Sequence, residues 1–568
     1  MKSVNLNITA TAENTYDAIV IGSGISGGWA AKELSEKGLK TLVLERGRNV
    51  EHIKDYSTAH THKWEFPHRN QLPTSVTEAN PIISKCYAFR EATEQYFVKD
   101  AEHPYEQVKP FDWIKGYQVG GKSLMWARHT QRWSPMDFES NANDGHGVDW
   151  PIRYEDLAPW YSHVEKFAGI SGNKDGLPQL PDGEFLKPME MNYLEKHVKE
   201  LFKKNYEDRP LIIARTANIT EKVGDRGPCQ YRSLCERGCP FGGYFSSNSS
   251  TLPAAMKTGN MTLRPFSVVH SIIYDDKKGK AVGVKVIDTN TKEIIEYYSK
   301  IIFVNAATLN TTLILKNSKS DRFPDGLGND SGELGHNLMD HNYNARVEGE
   351  FEGFEDKYYS GRRPTSTYIA RFRNFGKDKQ TAFTRGYAYS CGGRRGAGTE
   401  VSETVIGKTL KEDLTALGPW KFTMGGMGEC LPYHENKVTL SKDKVDDWGM
   451  PILQIDAELK ENERAMEKDM VQTAMEMLDT AGFKNIENRK QARNMGLNIH
   501  EMGTARMGKS PKTSVLNKHN QVWGAENVFV TDGACMTSSA CQNPSLTYMA
   551  MTARAANYAV EELNKRNL

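Results

Sequence analysis

The chain has 568 residues, enough for two or more lobes around sizeable cores. Its formal net charge is +1 with no basic block, which excludes nucleic acid as a main partner, because phosphate binding needs a concentrated positive face. Charged residues make up 26% and apolar residues 38%, and no apolar run approaches the length of a bilayer crossing, so a globular chain with no membrane span of its own is expected.

In chain order, residues 1–15 carry no apolar signal core. The expectation is either a cytoplasmic protein or one exported to the periplasm with a small export or chaperone subunit that bears the signal. A strand at 16–21, a Gly-rich turn, a helix to about 37 stopped by Gly38, and a second strand at 41–44 make a β-α-β unit. Residues 262–275 and 281–288, joined by a turn at 277–280, predict antiparallel strands. A buried strand at 301–305 precedes a helix containing 313–315. Residues 343–490 are polar and Gly-rich, with the texture of a separate substrate-facing lobe, and a last helix is predicted at about 545–564.

Gly22, Gly24 and Gly27 fit G-x-G-x-x-G between a strand and a helix, the context that a dinucleotide site needs. Gly22 permits the tight turn, Gly24 lets a pyrophosphate approach the backbone, and Gly27 lets helix and strand pack closely. Glu45, at the end of the second strand, is placed to accept hydrogen bonds from a ribose. These residues do not separate NAD from FAD.

Three further segments decide between them by resemblance. One is Val119-Gly120-Gly121-Lys122-Ser123-Leu124-Met125-Trp126. The second is residues 303–318, continued by 332–341. The third is His500-Glu501-Met502-Gly503-Thr504-Ala505-Arg506-Met507-Gly508, followed by 527–533 and Asn543-Pro544-Ser545. Together they resemble the glucose-methanol-choline (GMC) oxidoreductases, which are FAD-dependent alcohol dehydrogenases and oxidases. The resemblance is weak between 343 and 490. It departs mildly at Ala306-Ala307, where the family has Ala-Gly.

The resemblance implies an α/β (α+β) fold: a Rossmann-like FAD-binding domain at 1–342, a mainly antiparallel substrate domain at 343–490, and a return to the first domain at 491–568. It implies FAD held by Gly22, Gly24, Gly27 and Glu45 at the ADP half, with Val269 at the adenine. Asp532 and Gly533 would lie along the pyrophosphate and ribityl chain, and Gly120, Gly121 and Asn543 by the isoalloxazine. Met125 stands where members with covalent flavin carry histidine, so non-covalent FAD is expected.

Alcohol oxidation also needs a proton acceptor, and histidine suits that task near neutral pH. His500 aligns with the family's catalytic base, and Asn543 with its second active-site position. His129, His336 and His341 are expected to be structural.

The chain has eight cysteines, and Cys229, Cys235 and Cys239-Pro240 crowd into one segment. Cysteine before proline is a feature of iron–sulfur runs, and three thiolates suit a three-iron cluster. Buried or disulfide-paired cysteines remain the alternative. The segment is similar to catalytic subunits of bacterial sugar dehydrogenases and glucoside 3-dehydrogenases of the family. The expected function is therefore FAD-dependent oxidation of a hydroxyl of a sugar or glycoside, in the glucoside case the 3-hydroxyl, with electrons leaving through the cluster to a cytochrome-type acceptor. An oxygen-using oxidase and a non-redox lyase of the same fold are the alternatives.

Overall fold

The structure, a computed structural model, describes residues 14–358, 364–397, 405–489 and 493–568. Its larger sheet has eight strands. Strands Met261–Arg264, Thr41–Leu44, Thr15–Ile21, Ile294–Val304 and Ala525–Val530 run side by side in parallel. Parallel strands covered on both faces should be continuously apolar, and the buried stretches 18–21 and 42–44 are. The antiparallel pair Ser267–Asp275 and Lys280–Asp288 extends this sheet from Ile294–Val304. Helices Ile25–Glu36 and Ser545–Asn564 pack against each other beside it. A Cβ on Gly27 would lie 1.9 Å from the Gly22 carbonyl oxygen, so only glycine allows this helix to sit so close to its strand. The expected β-α-β unit and Rossmann-like parallel sheet are present.

The second sheet has six strands, ordered Lys484–Asn488, Arg346–Phe351, Leu417–Gly428, Tyr387–Ala397, Thr367–Ile369 and Ile212–Ile213, all antiparallel. Helices Tyr193–Asn205 and Glu461–Thr480 share its core, with Leu194, Val198 and Phe202 from one and Met466, Met470 and Met477 from the other. The lobe expected at 343–490 thus draws a helix and an edge strand from residues 193–213. Residues 437–456 of that segment pair instead with Glu106–Gln107 in a three-stranded sheet. The core of this small sheet includes Val268 and Leu309 of the first lobe. Among the described residues no helix is long and apolar enough to cross a membrane.

Candidate active site

A cavity of about 1160 Å³ opens where the parallel strands end and the second sheet begins. The carboxyl ends of three parallel strands reach it through Gly22, Glu45 and Asn305, and Asp532 reaches it just past a fourth. That is where an open α/β sheet binds ligands. The volume exceeds the ~300–1,000 Å³ of a typical small-molecule pocket and leaves room for a dinucleotide and a substrate together.

The nucleotide end is built by the Gly-rich turn. Gly22 has φ +94°, and a Cβ there would lie 2.3 Å from the Asn305 carbonyl oxygen. Gly24 has open space where a Cβ would project, so a phosphate can reach its backbone and the N-terminus of the helix behind it. Ser23 donates to one Glu45 carboxylate oxygen from its backbone N–H (3.2 Å) and its hydroxyl (2.5 Å), and Gly47 N–H donates to the other (3.0 Å). Three of about four acceptor sites on Glu45 are thereby filled, leaving one for a ribose hydroxyl. Burial pushes its carboxyl up, against those donors.

Val269, Gly121, Asp532, Gly533 and Asn543 also line the cavity. Gly27 and Gly120 stand behind its wall. Gly120 takes φ +90°, and its N–H donates to the Ser23 hydroxyl at 3.0 Å, tying the Gly-Gly loop to the Gly-rich turn. Asp532 accepts from Thr311 Oγ1 at 2.6 Å and Ala534 N–H at 3.0 Å, while burial pushes it to about 6.

The donor set fits FAD on an independent count. Asn305 Nδ2, Tyr548 OH and Glu501 Oε1 are buried, border this cavity and have no hydrogen-bond partner among the described residues. Buried polar atoms need partners, and a polar cofactor with hydroxyls, phosphates and ring heteroatoms supplies them.

His500 and Asn543 meet at this same cavity. The two strands of chain that carry His500 and His341 run antiparallel, with Met339 and Met502 exchanging backbone hydrogen bonds of 2.9 and 3.0 Å. The same register continued two residues brings His341 opposite His500. Their Nδ1 atoms are 2.8 Å apart and their rings meet edge to face. His341, expected to be structural, lies against the candidate base. Asp340 accepts from the Gly496 and His500 backbone N–H groups at 2.7 and 3.2 Å, which holds the loop that carries His500. Burial pushes His500 well below its ordinary range and His341 to about 4, so both are neutral near pH 7.

Potential ligand atoms of Asp340, His341 and His500 lie within 4.8 Å of one another. Both Asp340 oxygens already bind backbone, however, and the two imidazoles are at hydrogen-bond distance. Two nitrogens on one tetrahedral zinc would stand about 3.3 Å apart. His129 also faces the cavity, and burial pushes it to about 4. His336 stacks on His434 outside it, at 4.1 Å between ring centroids.

The GMC oxidoreductase family models match residues 16–343 and 432–552. The chain belongs to the GMC oxidoreductases. It is 30% identical to a 2-methyl-1,2-propanediol dehydrogenase of Mycolicibacterium austroafricanum, over 97% of this chain and 96% of that one. It is 25% identical to the fructose dehydrogenase large subunit of Gluconobacter japonicus, over 97% and 98%. A solved pyridoxine 4-oxidase from Mesorbium loti superposes with TM-score 0.58 at 16% identity, covering 96% of this chain and 99% of the other, which shows a shared fold. This GMC chain is accordingly an FAD-dependent oxidoreductase acting on CH–OH groups.

The cysteine segment forms no disulfide among the described residues. Cys229 Sγ accepts from Tyr231 N–H at 3.5 Å and Cys239 Sγ from Gly243 N–H at 3.3 Å. Cys235 opens a 3₁₀ turn, Cys235–Arg237. Arg237 fixes the loop by donating to the Thr58 and Thr61 carbonyls at 3.3 and 2.8 Å. Burial pushes the Cys229 thiol up to about 11. Cys235 and Cys239 stand near enough to Cys229 to add to that upward push.

Residues that the sequence reading missed are Asn305, Tyr548 and Glu501, the unpartnered polar lining. Each falls in a segment that resembles the family, but which way a side chain faces is set by packing that the segment alone does not reveal.

Proposed function

We propose that this GMC oxidoreductase is a dehydrogenase that oxidises a ring or secondary hydroxyl of a sugar or glycoside, and that its electrons leave through an iron–sulfur cluster held by Cys229, Cys235 and Cys239. One observation carries this reading. Tyr231 and Glu236, which lie between those cysteines, line the same cavity as His500 and the Gly-Gly loop. The cysteine segment is therefore a wall of the redox site and not a remote staple. Three thiolates suit a three-iron cluster, which offers a different iron to each, whereas a structural zinc takes four ligands. Backbone N–H groups aimed at sulfur are also the contacts that tune such clusters.

The substrate end of the cavity is polar, with Asn192, Ser366, Ser390, Thr423 and Tyr343 offering hydroxyl and amide groups to a polyol. Relatives with sugar names support that substrate class. A C-glycoside 3-oxidase from Microbacterium trichothecenolyticum, 32% identical over 22% of this chain, supports the 3-hydroxyl of a glycoside as the position to test first.

In the reaction, His500 takes the hydroxyl proton and Asn543 orients the hydroxyl. When bound, FAD supplies the acceptor for the carbon-bound hydrogen and its electron pair. Neutral, buried His500 is ready to accept a proton without first losing one. A cluster at the three cysteines would supply one-electron transfer to a cytochrome-type partner.

The test begins with iron and sulfide content of protein purified without oxygen; about three irons per chain are expected. Fructose, methyl glucosides and 2-methyl-1,2-propanediol are then offered with an artificial acceptor and, separately, with oxygen. Turnover with the dye and little oxygen uptake supports a dehydrogenase. Fast oxygen uptake with no iron overturns the relay and favours the oxidase reading, to which a paromamine 6'-oxidase of Streptomyces fradiae, 24% identical over 98% of this chain, lends support. Acid precipitation should release the flavin, because Met125 stands where members with covalent flavin carry histidine.

A further inference from the structure

We infer that His341 is a positioning residue that sets which nitrogen of His500 is the base. The argument starts at a backbone carbonyl. His341 Nε2 lies 3.0 Å from the Ala540 carbonyl oxygen, and a carbonyl only accepts, so Nε2 carries the proton. His341 is neutral, fully buried and pushed to about 4, so its Nδ1 is then bare. That bare nitrogen is 2.8 Å from His500 Nδ1, and two bare nitrogens would repel. His500 must therefore donate from Nδ1–H, which leaves its Nε2 lone pair as the proton acceptor. A chain of two hydrogen bonds, Ala540 carbonyl to His341 to His500, fixes both tautomers without any charged group.

The backbone is arranged to keep this chain in place. The Met339–Met502 pairing sets the two histidines opposite each other. Asn498 Nδ2 donates to the His341 carbonyl at 2.5 Å, and Asp340 holds the His500 N–H. The usual orienting partner of a catalytic histidine is a carboxylate, which also stabilises the imidazolium. A neutral imidazole orients the ring and can accept a stronger hydrogen bond once His500 is protonated. It adds no negative charge beside a flavin site that must take up electrons. The role rests on the alcohol-oxidation reading given above.

Two variants test it. His341→Leu keeps the approximate volume and removes both hydrogen bonds; His341→Gln keeps an acceptor for His500 and a donor for Ala540. An orienting partner is worth about 10–100-fold. The Leu variant should slow anaerobic flavin reduction by that factor, using whichever of the offered alcohols reduces wild type, while KM changes less than threefold. The Gln variant should recover at least a third of the lost rate on a logarithmic scale.

A second readout is independent of substrate. In ¹⁵N-histidine-labelled protein, the signal that disappears in His500→Ala should show the proton on Nδ1, the minor tautomer of free histidine. In His341→Leu it should revert toward the Nε2–H form. A wild-type His500 protonated at Nε2 would overturn the inference, as would a folded Leu variant with near wild-type flavin reduction. If the Leu variant does not fold, the wild-type spectrum decides alone. If no alcohol reduces the flavin, the functional reading fails while the tautomer spectrum still tests His341.

Discussion

Ala307 sits at φ +69° and ψ +148°, a backbone conformation natural to glycine, at the N-terminus of helix Thr308–Asn317 where it borders the cavity. A non-glycine residue there stores about 1–3 kcal/mol of strain, and glycine returns about 0.5–1 kcal/mol of that as chain entropy. Ala307→Gly should therefore stabilise the protein by about 1 kcal/mol, read as a higher urea midpoint at unchanged slope. The site histidine makes a second prediction. Burial and its neighbours hold His500 below its ordinary range. In the proposed mechanism the unprotonated form is the active one, so the acid limb of kcat/KM should fall below pH 6.5. His500→Ala should lose roughly 10²–10⁴-fold in turnover with FAD still bound, and a limb centred above pH 7 would remove His500 from this role. His500 was legible in sequence because its neighbours Gly503, Thr504 and Gly508 form a local pattern. His341 was not, because its meaning comes from a pairing 159 residues away.

At the scale of elements, the junction between the lobes turns on one buried arginine. Arg385, just before strand Tyr387–Ala397, donates to Glu429 at 2.5 Å at the end of strand Leu417–Gly428. It also reaches helix Pro135–Asp144 through Ser140, Asn141 and Asp144, at 2.8, 2.8 and 3.0 Å. Breaking a buried ion pair from one side strands the other charge and costs about 3–5 kcal/mol. Arg385→Ala should destabilise by about that much in chemical denaturation, with Arg371, 3.8 Å from Glu429, moderating the loss.

None of this was readable from residues 343–490. The strands there are broken by glycines such as Gly392, Gly393, Gly425 and Gly426, which weaken the alternation that marks a strand. A Cβ on Gly426 would lie 2.5 Å from Met470 Sδ, so that glycine answers to a helix far along the chain. The edge strand Ile212–Ile213 is likewise assigned by a partner at Tyr368. The N-terminal β-α-β unit was readable because all its signals are local.

For the whole molecule, the cavity is the joint between the two sheets, so cofactor binding and folding are linked. A ligand that binds only the folded state at 100 times its Kd adds about 2.7 kcal/mol. Protein stripped of FAD should melt lower, and stepwise FAD should raise the midpoint until saturation; a midpoint indifferent to FAD would mean that the cavity forms without it. Length allowed more than one lobe, and the family resemblance of segments 119–126, 303–318 and 500–508 implied the cofactor class, because each of those segments carries its own local pattern. The way the lobes exchange residues 193–213 and 437–456 was hidden, since it follows from which surfaces fit.

The order of strands in the larger sheet has a consequence for how the protein is made. Ile302, Phe303 and Val304 take Val528, Phe529 and Val530 as their parallel neighbours. On the ribosome more than two hundred residues separate the two strands. At about 5–20 residues per second, that is some 10–45 s of waiting. Throughout it the growing chain displays an apolar strand edge whose proper partner has not been synthesised, the kind of edge that recruits other chains. If Asp532 and Asn543, which line the cavity, hold FAD as proposed, cofactor loading waits as well, because they arrive after that strand. Expression should therefore be sensitive to chaperone supply and to temperature more than to free flavin, and halting translation before residue 525 should yield a chain that holds no FAD.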